Sequence, residues 1–443
     1  MLLKYIVSNF KSIGHSIEFS MIPTENNTDK RFLTRLETKY GDIDVLRRGA
    51  FFGPNASGKS TFVESIQFAK EYIVDGQKSG KSTRVPQFKG NLEGIEETSL
   101  FQFVFYLDKN VFEYGFTLTP KRVSEEWLMI RTDKGFVPMF TRVTDENCIT
   151  DIDIETKFGR SDSKDRRLAE VLKSSMKENQ KNQLFLYKLK DNGIKRAEKI
   201  VDWFENVQVI FPNTKIQWLP IRVKEDSDFR EFLSESLSKL DTGVSKISAS
   251  GAEINFQEFA EKMNLPKELV ADIENKESGL ISLNGRYFIF FENKNRTSLI
   301  QVKFEHSLNN KIASFNIDDE SDGTQRLLDL LPILFQMDKK NNTIYFVDEI
   351  DRSLHTKLSK YILQTFVANS QNLLSQIIFT AHDVNLINLR DFTKEEIWFI
   401  EKNNTGETAL KPFSDFETND NQDIIKDYLN GRFGAIPVIR GDM

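Results

Sequence analysis

The residues best equipped for chemistry run from Gly53 to Ser60, Gly-Pro-Asn-Ala-Ser-Gly-Lys-Ser. They match GxxxxGK[ST] and lie between an apolar run ending at Phe52 and a helix-periodic stretch, the context this motif requires. The glycines let successive backbone N–H groups, Asn55, Ala56, Ser57, Gly58, Lys59, Ser60 and Thr61, curl around a polyphosphate at a helix N-terminus. Lys59 adds a point charge toward the β and γ phosphates, and the Ser60 hydroxyl can ligate Mg²⁺. Such a loop needs an acidic partner at the end of a neighbouring buried strand. Thr343 to Val347 supplies one, running into Asp348 and Glu349. Asp348 would complete the Mg²⁺ shell and Glu349 is placed to polarise an attacking water, so the pair points to hydrolysis as well as binding.

The elements that must hold these residues are legible from periodicity. Leu2 to Val7 reads as a strand, followed by the turn Asn9-Phe10-Lys11-Ser12 and a continuation or partner at Ile17 to Met21. Val45 to Phe52 reads as the strand before the loop, and Thr61 to Tyr72 as the helix after it. From Leu100 to Val143 alternating aromatics and the turn Asp108-Lys109-Asn110 predict an antiparallel meander. Residues 160–275 become Lys-, Glu- and Ser-rich with helical spacing. Strand signals return at Leu280 to Glu292 and Leu299 to His306, and the last lobe alternates helix (Gln325 to Phe335), strand (Thr343 to Val347), helix (Leu354 to Ala368) and strand (Gln376 to Thr380).

Composition sets outer limits. The 443 residues carry 66 acidic and 60 basic side chains, a net charge of −6, so no global basic field invites nucleic acid. Cys148 is the sole cysteine, which excludes an intramolecular disulfide and a Cys-rich zinc site. No apolar stretch approaches the ~20 residues of a membrane span, and the N-terminus lacks the pattern of a signal peptide. A cytoplasmic protein without a membrane role is expected. Phenylalanine, at 37 residues, outnumbers the 10 Tyr and 4 Trp together.

Two more segments refine the class. Ile377 to Ala381 is a buried-strand pattern ending in His382-Asp383, and Asp319-Glu320-Ser321-Asp322-Gly323-Thr324-Gln325-Arg326 opens an amphipathic helix. With these, the chain resembles the ATP-binding-cassette (ABC) ATPases of the SMC and RecF type. That resemblance implies an α/β fold: an ABC-type P-loop ATPase head with a mixed sheet flanked by helices, an antiparallel β subdomain and a helical lid insertion. It implies ATP with Mg²⁺, His382 as the switch histidine on the γ-phosphate, and Ser321 and Gly323 as a signature capping the γ-phosphate of ATP held by a second subunit. Asp351 would be the D-loop residue that touches the opposite site, and Gln87 the glutamine loop. Glu320 and Asp322 replace the leucine and paired glycine of transporter cassettes, which argues against a transporter subunit. ATP rests on the resemblance, although Asn293-Lys294-Asn295-Arg296 lacks the aspartate of a guanine-reading NKxD.

Lys59 and Asp348 lie 289 residues apart, yet no sustained heptads intervene, which excludes a long coiled-coil arm. The expected organisation is an N-terminal lobe at 1–159, a mainly helical lid at 160–275 and a C-terminal lobe at 276–443. The tail from Asp427 to Pro437, Asp-Tyr-Leu-Asn-Gly-Arg-Phe-Gly-Ala-Ile-Pro, narrows the resemblance to the AAA-family ATPases of abortive-infection and related anti-phage systems. This implies a homodimer or higher homo-oligomer built on shared ATP sites, controlling a separately encoded nuclease or toxin. Two alternatives stay open. Residues 160–200 hold twelve basic against six acidic residues, so Arg166, Arg167, Lys173 and Lys177 could bind nucleic acid as in a RecF-like repair ATPase. Asp151, Asp153 and Glu155 alternate on a strand-like stretch that could hold a nuclease metal.

Overall fold

In a computed structural model, the structure describes residues 1–24, 32–78, 80–90, 98–159, 163–176, 180–214, 219–254, 256–262, 266–274, 279–283, 286–290, 297–309, 311–337, 342–370, 373–417 and 423–436. Asn293 to Arg296, Lys177 and Pro437 lie outside them. The chain divides into two compact units, one formed by Met1–Phe211, Lys340–Asp351 and Leu363–Met443, the other by Pro212–Lys339 and Arg352–Ile362.

The first unit contains two large sheets. One runs, edge to edge, Thr150–Ile154, Gly135–Thr144, Val123–Thr132, Asn110–Leu118, Ser99–Leu107, Leu2–Ser8 and Ile17–Ser20, every pair antiparallel. This is the expected meander, with the N-terminal strand and its partner added to it. The other sheet carries the chemistry. Its order is Val207–Ile210, the acidic strand Ile344–Val347, the switch strand Gln376–Ala381, the P-loop strand Arg48–Phe52, then Ile397–Lys402 and Thr408–Pro412. The first five run parallel and the last two form an antiparallel hairpin.

Aromatic packing joins the layers. Phe62 of the P-loop helix Lys59–Val74 meets Tyr5 of the meander sheet at 5.6 Å and Phe51 of the P-loop strand at 4.8 Å, and it is fully buried. Each such phenylalanine contributes roughly 1.5–3 kcal/mol of burial. Much of the phenylalanine surplus is therefore core of the first unit.

The single strand expected from Val45 to Phe52 is two. Ile43–Leu46 pairs with Leu33–Leu36, and the chain resumes at Arg48 in the parallel sheet. Arg48 fixes this break: its buried guanidinium pairs with Glu396 at 3.1 Å and lies over the rings of Phe32 and Phe392.

The expected lid boundary at residue 160 is not where the contacts divide. Lys164–Ser175, Phe185–Asp191 and Lys195–Glu205 are helices, but their apolar faces, including Leu172, Leu186 and Phe204, join the core of the first unit. Phe204 packs on Phe103 at 5.1 Å and on Phe105 at 5.6 Å. Amphipathic helices must bury that face somewhere, and the aromatic side of the meander provides the surface. The second unit begins beyond them and is mixed. Its sheet runs Val244–Ile254, Thr297–Leu308, Arg286–Phe290 and Gly279–Leu283, with Lys311–Phe315 paired to Thr297–Leu308. Helix Ser227–Lys239 packs on the signature helix Asp322–Met337 through Phe229 and Phe335, 5.0 Å apart.

Candidate active site

Parallel α/β sheets bind ligands beyond the carboxyl ends of their strands. Four neighbouring strands here end in functional groups: Ile344–Val347 in Asp348 and Glu349, Gln376–Ala381 in His382, Arg48–Phe52 in Gly53, and Ile397–Lys402 in Lys402 itself. They face a cavity of about 490 Å³ lined by Ser12, Asn55, Ala56, Gly58, Lys59, Ser60, Thr61, Glu349, His382 and Lys402. The predicted P-loop, acidic pair and switch histidine are thus brought together.

The loop needs its glycines. Gly58 caps the helix at φ 112°, and a Cβ there would stand 2.1 Å from Thr408 Oγ1. A Cβ on Gly53 would stand 2.1 Å from the Ile400 carbonyl oxygen. Ser57 turns its hydroxyl into the protein, so its side chain does not line the cavity.

Charge is organised around Lys59. Its ammonium donates to the carbonyls of Gly53 at 2.6 Å and Pro54 at 3.0 Å and lies 3.4 Å from His382 Nδ1. Burial pushes its pKa down to about 8, opposed by Asp348, Glu349 and Asp351. His382 Nε2 lies 3.4 Å from Glu349 Oε1. Both contacts are satisfied when Nδ1 accepts from Lys59 and Nε2–H donates to Glu349. Glu349 has φ 49°, a left-handed conformation uncommon for glutamate and concentrated at functional sites.

Thr380 locks the acidic pair. Its hydroxyl donates to Asp348 Oδ1 at 2.7 Å and accepts the Glu349 N–H at 2.8 Å. Burial raises the Asp348 pKa, while hydrogen bonds from Thr380 and Ser60 oppose the rise. Ser60 and Asp348 therefore converge as two hard oxygen donors. Mg²⁺ commonly takes one or two protein oxygens and completes its shell with substrate phosphates and water, so this donor set fits that ion.

The predicted signature residues, Ser321 and Gly323, lie in the second unit. Ser321 caps its helix, accepting the Thr324 N–H at 3.2 Å, and Gly323 lies so near Ser353 that a Cβ would stand 2.9 Å from the Ser353 carbonyl oxygen. Asp351 belongs to the first unit. There its carboxylate accepts the backbone N–H groups of His382 at 2.8 Å and Asp383 at 2.5 Å, so one oxygen is committed within its own chain.

Gln87 does not line the cavity; its neighbours Pro86 and Phe88 bond the Asn9–Lys11 turn instead. Among the described residues no cluster of three His, Cys, Asp or Glu could hold a metal. Asp151 and Asp153 point outward from an edge strand, which removes the support for a nuclease centre. Several basic side chains of 160–200 are spent internally. Arg166 bonds the carbonyls of Ile154 and Glu155, Arg196 those of Lys157 and Phe158, and Lys199 pairs with Asp108. No described helix is long and apolar enough to cross a membrane.

The sequence places Ser12 only in a turn and marks neither Lys402 nor Thr408, yet Ser12 and Lys402 line the cavity. Thr408 Oγ1 lies 2.9 Å from Ser12 Oγ, donates to the Ser57 carbonyl at 3.1 Å and accepts from Lys402 at 3.1 Å. The usable signal was the run Ile397 to Ile400 ending in Glu401-Lys402, the same apolar-to-charged pattern as the acidic strand.

Residues 50–388 match the model of the family described as "AAA domain, putative AbiEii toxin, Type IV TA system". No curated protein matches the chain. Among solved structures it is similar to the SMC head domain from Thermotoga maritima, at 13% identity and a TM-score of 0.38 over 94% of this chain and 99% of that one. An SMC head bound to the C-winged helix domain of ScpA aligns at 14% identity and 0.40, over 93% and 96%. An SMC head with an extended coiled coil, bound to the C-terminal domain of ScpA derived from Pyrococcus furiosus, aligns at 13% and 0.38, over 94% and 97%. At TM-scores below 0.5 these likenesses say nothing of function.

Proposed function

The chain belongs to the AAA-domain family of AbiEii-type, type IV toxin–antitoxin description, and on that premise we propose that it is an ATP-hydrolysing switch whose nucleotide state governs an effector. The observation that carries this reading is the meeting of Lys59, Glu349 and His382, drawn from three strand ends, in one cavity. Lys59 would neutralise phosphate charge. Glu349 would orient the attacking water and draw off its proton, and His382, within reach of both, would hydrogen-bond the γ-phosphate oxygen. Ser60 and Asp348 would hold Mg²⁺, which supplies charge neutralisation on the β and γ oxygens.

Ser321 and Gly323 open a helix whose N-terminus suits an anion. In this reading they cap ATP held by a second copy, so that two chains close on two Mg-ATP and reopen after hydrolysis. Asp351 would take part in that closure through the switch segment it fastens. The effector is a separately encoded nuclease or toxin, a reading supported by family membership, and the setting is anti-phage defence in the cytoplasm.

Sedimentation of the Glu349→Gln protein with and without Mg-ATP tests the closure. ATP should drive it from monomer to dimer, and Ser321→Arg should bind ATP yet stay monomeric. A Ser321→Arg protein that dimerises normally would remove the shared site.

A further inference from the structure

The C-terminal hairpin, formed by Ile397–Lys402 and Thr408–Pro412, stands on the far side of the P-loop strand from the switch and acidic strands. Its first strand runs parallel to the P-loop strand, with Phe399 opposite Phe52. Lys402 therefore ends at the same sheet edge as the phosphate loop and lines the cavity. Thr408, almost fully buried, seats the hairpin on the loop. Its N–H donates to the Ser12 carbonyl at 2.8 Å, its hydroxyl to the Ser57 carbonyl at 3.1 Å, and its side chain closes over Gly58.

The chemistry of Lys402 differs from that of its neighbours. Its ammonium has one hydrogen-bond partner among the described residues, Thr408 Oγ1 at 3.1 Å, which leaves two of its three N–H donors for a ligand. The nearby carboxylate, Glu407, is occupied by His15 and Asn403. Burial lowers the Lys402 pKa against the opposing charge of Glu407. A partly desolvated cation on a cavity wall, facing backbone N–H groups that favour an anion, is matched by phosphate oxygens.

We propose that Lys402 is a second phosphate-binding lysine, reaching the nucleotide's phosphates from the side of the P-loop strand away from Glu349 and His382. The assignment rests on the nucleotide reading above. The hydrolytic groups come from the other flank of that strand.

Calorimetric titration of the full chain with ADP and with ATP tests it. Lys402→Ala and Lys402→Met, which keeps the aliphatic stem, should each weaken both nucleotides about tenfold. Lys402→Arg, which keeps the charge, should keep most of the affinity. Unchanged ADP affinity in Lys402→Met, with wild type binding normally, overturns the assignment alone. Wild type that binds neither nucleotide overturns the nucleotide reading, and Lys402 with it.

Discussion

The carboxylate of Asp351 accepts the backbone N–H of His382 at 2.8 Å, so His382 is held in place by its main chain while its ring faces Lys59 and Glu349. The same oxygen takes the Asp383 N–H. Asp351→Ala removes two charge-assisted bonds, each worth roughly 1.5–3 kcal/mol. Turnover should fall at least about tenfold while ATP affinity holds, with Asp351→Asn intermediate because its amide oxygen still accepts. Steady-state kinetics beside equilibrium binding separates the two effects; equal losses in both would assign Asp351 to binding.

Lys59 makes nucleotide affinity depend on pH. Its pKa is lowered to about 8, and phosphate selects the ammonium. Below that value the lysine is already charged and affinity should be flat. Above it the free protein must take up a proton to bind, so affinity should fall by up to about tenfold per pH unit until the pKa of the bound state is reached. Dissociation constants for ATP across the alkaline range check this, and the Lys402→Ala background removes the other cavity lysine whose pKa burial lowers. A flat profile through pH ~9.5 would contradict the role of Lys59.

Gly58 is required twice, by φ 112° and by the Thr408 side chain. Gly58→Ala should abolish nucleotide binding and cost about 1–3 kcal/mol of stability. Gly41 also has positive φ, 99°, but open space beyond its Cα, so Gly41→Ala should show strain alone and leave binding intact. Thermal melts with and without ADP distinguish the two.

The tail is structural before it is diagnostic. Phe433 stacks on Phe399 at 5.6 Å with the rings 3° from parallel, and it is almost fully buried. The Tyr428 hydroxyl donates to the Ala435 carbonyl at 2.7 Å, and Glu401, next to Lys402, accepts the Ala435 N–H at 2.7 Å. Phe433→Ala should cost about 3–5 kcal/mol and Tyr428→Phe about 1, read from denaturant midpoints. Equal stability in Phe433→Ala would show that the tail does not brace the hairpin.

The residues around the phosphate loop were legible because each belongs to a short local pattern: an apolar strand running into Gly53, into Asp348-Glu349, or into His382. Element types survived for the same reason, as with the Asn110–Leu118 return strand and the signature helix. The membership of helices 164–205 in the first unit was hidden, since an amphipathic face records that it is buried but not against what. Thr408 was hidden too. Its role arises from a hydrogen bond to the Ser57 carbonyl 351 residues away, which leaves no trace in spacing. Arg166 counts toward a basic surface in the sequence, but its guanidinium donates to the carbonyls that end the meander.

The most direct test of the switch is to measure ATP binding and single-turnover hydrolysis on the same preparation of Glu349→Gln. That variant should bind ATP with wild-type affinity and hydrolyse it at least about a hundredfold more slowly, since the amide cannot take the proton of the attacking water. Hydrolysis at the wild-type rate in that variant would contradict the switch.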